Sequence, residues 1–67
     1  MTWDELCEKA KYMGYEFHKS GCFLQRPDSG FQFYNDGQIY VENEYDSILA
    51  TDYRTPEQML AIMEALR

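Results

Sequence analysis

His18 is the only side chain here whose ordinary pKa allows proton transfer near neutral pH. General acid–base or nucleophilic work would need a second group placed beside it, and no pattern supplies one. Ser20 and Ser29 each precede a glycine, but neither lies in a Gly-x-Ser-x-Gly elbow. Gly21, Gly30 and Gly37 are too widely spaced for a phosphate-cradling loop. Cys7 and Cys22 with His18 fall short of the four ligands of a structural zinc site. Glu42-x-Glu44-x-Asp46 has the alternating oxygens of a calcium loop. Its sixth position is Ser47 where an EF-hand needs glycine, and its twelfth is Tyr53 where the loop needs glutamate. These residues predict no catalytic site, no metal and no cofactor, and the chain reads as a non-enzyme.

What remains is charge. The net charge is −6. Residues 1–27 balance, with Asp4, Glu5, Glu8 and Glu16 against Lys9, Lys11, Lys19 and Arg26. Residues 54–67 balance too, with Glu57 and Glu64 against Arg54 and Arg67. The excess sits in 28–53, which carries Asp28, Asp36, Glu42, Glu44, Asp46 and Asp52 and no Lys or Arg. That segment predicts one negative side to the molecule. Such a side can simply keep a small protein in solution. It can also dock a basic protein partner, with Asp36, Glu42, Glu44 and Asp46 as the candidate contacts. A sharper alternative is an inhibitor from a phage or mobile element. Its carboxylates would stand where phosphates would be and block a nucleic-acid-binding enzyme. With no basic patch, direct binding of nucleic acid is not expected.

The elements that position these groups centre on residues 21–43. Phe31-Gln-Phe-Tyr34 and Gln38-Ile-Tyr-Val41 alternate as strands around Asn35-Asp36-Gly37. A three-residue loop with Gly37 left-handed sets Phe33 opposite Ile39, Phe31 opposite Val41 and Gln32 opposite Tyr40. A two-residue loop would mix the faces. Pro27-Asp28-Ser29-Gly30 forms the preceding turn and sets Leu24 opposite Phe33. The predicted core face is Cys22, Leu24, Phe31, Phe33, Ile39 and Val41. The opposite face carries Phe23, Gln25, Gln32, Tyr34, Gln38 and Tyr40, and lies open if both helices pack on the core side. Its aromatic residues Phe23, Tyr34 and Tyr40 are further candidate partner contacts. A homodimer through this face, or through a sheet edge, would also cover them.

Thr2 with Glu5 reads as a capping box opening a first helix, whose Trp3, Leu6, Cys7, Ala10 and Met13 share one side and which Gly14 ends. Thr55, Pro56 and Gln58 open the last helix, with Met59, Ile62, Met63 and Leu66 as its stripe. Tyr15 to Phe17 reads either as a lead-in strand or as the start of one bent strand. Ser47 to Thr51 offers a fourth strand. The expectation is one α+β domain over 1–67, two layers, ordered α-β-β-β-(β)-α. Three antiparallel strands, four if 47–51 pairs, carry the N- and C-terminal helices on one face. Hydrophobic residues at 45% are enough for one core. No run approaches the ~20 apolar residues of a membrane span. The first residues lack the pattern of a secretory signal, so the expected compartment is the cytoplasm with both thiols reduced.

The order helix, Gly14-Tyr-Glu-Phe17, Lys19-Ser-Gly21, strand, Arg26-Pro-Asp28, further strands and final helix resembles the HicA-type mRNA-interferase toxins, which have a double-stranded-RNA-binding-like fold. The resemblance spans about residues 3–34 and the last helix. Where that family has its catalytic histidine, this chain has Cys22-Phe23-Leu24, and the family is basic where this chain is acidic. The resemblance therefore implies a topology and no RNase activity.

Overall fold

In the computed structural model the chain runs α1 (Trp3–Lys11), β1 (Glu16–His18), β2 (Phe23–Gln25), β3 (Phe31–Tyr34), β4 (Ile39–Glu42), β5 (Ser47–Thr51) and α2 (Pro56–Ala65). The structure describes residues 1–20, 22–42, 45 and 47–67, with 47–51 by backbone alone. The five strands form one antiparallel sheet in the order β1-β2-β3-β4-β5, each beside its neighbour in sequence. The α+β class and the helix–strands–helix order are as expected. The strand count is higher, because 16–18 is a separate strand and 47–51 pairs.

Local chemistry accounts for the elements. Thr2 and Glu5 form the capping box of α1, and Thr55 and Gln58 that of α2, with Pro56 in its first turn. At the end of α1 the Tyr15 N–H donates to Ala10 O (3.1 Å) and the Gly14 N–H to Lys11 O (3.2 Å). With Gly14 at φ +88°, this is a Schellman ending. In the β3–β4 hairpin the Gly37 N–H donates to Tyr34 O (3.1 Å) and the Tyr34 N–H to Gln38 O (2.9 Å). Gly37 has φ +102°, so the loop is the three-residue one with a left-handed glycine. The register follows, with Phe31 opposite Val41, Gln32 opposite Tyr40 and Phe33 opposite Ile39. Leu24 lies opposite Phe33. Between β4 and β5 the register slips by one residue after Ile39, which pairs with Thr51 while Tyr40 pairs with Leu49.

The core joins Leu6 and Ala10 of α1, Met59 and Met63 of α2, and Tyr15, Leu24, Phe33 and Ile39. Trp3, Cys7, Met13, Phe31, Leu60, Ile62 and Leu66 pack around it. Phe33 is fully buried and meets the Tyr15 ring edge-on (5.6 Å, 78°). Truncating a buried Phe costs about 3–5 kcal/mol. A domain this small holds only ~3–10 kcal/mol in total, so this one side chain carries a large share of the stability. Among the described residues no helix is long and apolar enough to cross a membrane.

One core assignment is corrected. Cys22 is exposed and lies in a turn at φ +56°, ahead of the strand that begins at Phe23. The left-handed backbone breaks the two-residue alternation that would have carried its side chain to the Leu24 face. Cys7 is half-buried against the core, and both thiols are free.

Candidate docking face

Strand pairing brings the predicted aromatic residues into one row on the side of the sheet away from the Leu24–Phe33–Ile39 core. His18 is opposite Phe23 and Phe23 is opposite Tyr34. Their rings touch in sequence. His18 lies flat on Phe23 (4.7 Å, 9°), Phe23 tilts against Tyr34 (5.1 Å, 37°), and Tyr34 meets Tyr40 edge-on (5.1 Å, 69°). The row therefore crosses β1 to β4, and Tyr40 ends it beside β5. His18 belongs to the row, although motif logic considered it only as a catalyst or a metal ligand. The signal that finds it is register, since its place opposite Phe23 depends on β1 being a strand.

A second, polar row runs beside the first. Gln25 Nε2 donates to Ser29 O (2.8 Å) in the β2–β3 turn. Gln32 Nε2 donates to Gln25 Oε1 (3.4 Å) and to Glu42 Oε2. The Tyr34 hydroxyl donates to Gln32 Oε1 (3.1 Å), and the Tyr40 hydroxyl to Gln38 Oε1 (3.0 Å). An ionised Glu42 and the Ser29 carbonyl can only accept, which fixes the Gln32 and Gln25 amides against flipping. Gln32 stands at the centre, tied to three neighbours and only 3% exposed.

This corrects the expectation of an open, wet face. Phe23, Gln25, Tyr34, Gln38 and Tyr40 are each half-buried, in contact along the ring row and the glutamine bonds. Burial raises the Tyr34 hydroxyl pKa above its ordinary range, and the neighbouring Tyr40, Glu42 and Asp36 push it the same way. Tyr34 thus stays a protonated donor to Gln32.

The acidic candidates separate. Glu42 is on this face, exposed, and anchored by Gln32. Asp36 is in the hairpin loop and accepts from the Gln38 N–H (3.0 Å), so it holds its own turn. Asp28 is near Arg26 Nε (3.3 Å) at the β2–β3 turn. Glu44 and Asp46 lie outside the described residues. Among those described, no group of three or more His, Cys, Asp or Glu is placed to hold a metal ion. His18 has no hydrogen-bond or ion-pair partner among the described residues, and its ring is stacked on Phe23.

Elsewhere, Arg26 places its guanidinium over the Tyr15 ring, 5.5 Å from the centroid. A groove of about 450 Å³ runs between α1 and the β1 edge, lined by Cys7, Lys11, Phe17 and Leu24 among others. Phe17 is 48% exposed there because β1 has no strand on its outer side.

Compared with known proteins, the chain matches no family model, no curated protein and no solved structure at a significant level, so its likeness to the HicA-type toxins rests on short motifs alone.

Proposed function

We propose that this chain is a small, acidic, non-enzymatic protein-binding module that docks a basic protein partner on the outer face of its sheet. The observation that carries the reading is the ring row His18–Phe23–Tyr34–Tyr40, clamped by the glutamine network and bordered by Glu42. Aromatic side chains held in place before binding lose little freedom on contact, which favours their use at interfaces. The six acids and absent cations of 28–53 select a basic partner by charge. A cytoplasmic location belongs to the same proposal, supported by two free thiols.

Nucleic-acid mimicry fits the described acids less well. A mimic needs carboxylates presented outward in a phosphate-like array. Here Asp36 caps its turn and Asp28 faces Arg26.

The test is capture from lysate with the chain as bait, washed at low and at high salt. Tyr40→Ala and Glu42→Lys serve as face variants, and Asp52→Lys, in the acidic segment but beyond the end of β5, as a control. Circular dichroism checks that each variant is folded. A basic protein retained by wild type and Asp52→Lys but lost by both face variants supports the module. A nucleic-acid-binding enzyme released by salt, and lost equally with Asp52→Lys, would replace it with mimicry. Sedimentation as a dimer that Tyr40→Ala dissociates would put a second copy in the partner's place.

A further inference from the structure

We infer that the docking face takes an arginine side chain of the partner, its guanidinium plane against the Tyr40 ring and its edge on the Glu42 carboxylate. This rests on the reading above and names the group recognised.

Tyr40 and Glu42 alternate on β4, so they project from the same face about 7 Å apart along the strand. A cation within ~6 Å of the ring centroid is therefore in reach of the carboxylate. Both halves are fixed beforehand. Tyr40 is held by its hydroxyl bond to Gln38 (3.0 Å) and by edge contact with Tyr34 (5.1 Å). Glu42 is held through Oε2 by Gln32, whose amide is itself bonded to Gln25 and to the Tyr34 hydroxyl.

Arginine fits this arrangement better than lysine. Its guanidinium is planar and weakly hydrated, so it stacks on a ring while its in-plane N–H groups point at acceptors around the rim. The acceptors flanking Tyr40 are the Glu42 carboxylate and the Gln38 Oε1 that already accepts from Tyr40. An ammonium offers a compact point charge with no plane to stack. The chain makes the same pairing internally, where Arg26 lies over Tyr15 with Asp28 beside its Nε. Charge points the same way. No Lys or Arg falls between Arg26 and Arg54, so β3, β4 and β5 carry none. Lys19 follows β1, at the opposite end of the ring row from Tyr40.

The test is an amide-resolved NMR titration of the full chain with oligoarginine and with oligolysine of equal length. The expected result is that oligoarginine shifts the amides of Tyr34, Tyr40 and Glu42 and binds more tightly than oligolysine. Glu42→Gln, which keeps an acceptor for Gln32 but removes the charge, should weaken oligoarginine about tenfold, as expected for a charged hydrogen bond. Tyr40→Leu should weaken it about threefold, as expected for a cation–π contact at a partly exposed site. Tyr40→Phe, which keeps the ring, should bind oligoarginine like wild type. Equal affinity for both peptides, with shifts spread over Asp28, Asp36 and Asp52, would overturn the inference in favour of a diffuse negative field. Absence of any shift would overturn it as well. The two levels separate in the capture experiment. A partner lost with Tyr40→Ala but indifferent to Glu42→Gln leaves the module standing and removes the arginine.

Discussion

Replacing Gly37 by alanine tests whether the β3–β4 hairpin is the fixed point of the fold. Gly37 has φ +102°, and a Cβ built there would lie 2.9 Å from Arg54 O and 3.3 Å from Arg54 N. Those backbone atoms are not free to retreat, because the Arg54 N–H donates to Gly37 O at 2.7 Å. Two penalties should add. A left-handed non-glycine residue costs about 1–2 kcal/mol. Forcing backbone aside in a packed region costs a further ~1–3 kcal/mol. The expected loss of about 2–5 kcal/mol is a large part of the ~3–10 kcal/mol available to a domain of this size. Urea unfolding followed by circular dichroism reads the loss as a lowered midpoint at unchanged slope. Gly37→Asn separates the two terms. Asparagine accepts the left-handed region but still carries a Cβ, so it should recover at most about 1 kcal/mol. A loss under ~0.5 kcal/mol for alanine would refute the reasoning, since surface substitutions away from special features already span that range. Full recovery by asparagine would refute the close-approach half of it.

Gln32→Leu should destabilise by about 1 kcal/mol in the same urea assay, because it takes the partner from the half-buried Tyr34 hydroxyl and Gln25 Oε1 and leaves the exposed Glu42 unanchored. Gln32→Glu should be worse at neutral pH, setting a carboxylate against Glu42, and should recover on acidification; a pH-independent loss would contradict the network. In a thiol-labelling experiment the exposed Cys22 should react at once. Cys7 should react more slowly, since partial burial, with Asp4 and Glu8 nearby, pushes its thiol up. Alkaline titration read by tyrosinate absorbance should show Tyr15 and Tyr34 ionising above the ordinary tyrosine value of 10.0, burial being the leading cause at both. Their protons are held more tightly in the folded chain. The stability this contributes is present below that value and lost as pH rises through the folded-state values, and Tyr34→Phe should flatten the loss.

The hairpin was readable from sequence because two independent signals agreed, a left-handed glycine and an alternation that only one loop length satisfies. Both helix starts were readable for the same kind of reason, since a capping box is local chemistry. Cys22 was misplaced because alternation was extended across a residue whose backbone, at φ +56°, no longer alternates. β1 was ambiguous because three residues carry too little pattern to separate a short strand from a bend. The ring row could be listed without its first member, since His18 joins only once β1 pairs with β2. Alternation placed the glutamines of the polar row on one face but did not give their bonds. Which glutamine donates to which acceptor depends on rotamers and on Glu42 standing next to Gln32 across the strands, and periodicity carries neither.

The nearest-neighbour order of the five strands also sets how the chain can reach this structure. Every ladder joins segments separated by one short connection, so each can zip up with little loop-closure entropy. The long closure left is the meeting of α1 with α2, and those two helices supply Leu6, Ala10, Met59 and Met63 to the core. Contacts this local predict fast, single-exponential folding. They also predict an order of assembly in which the outer face, made wholly of adjacent strands, takes shape before the terminal helices seal the other side.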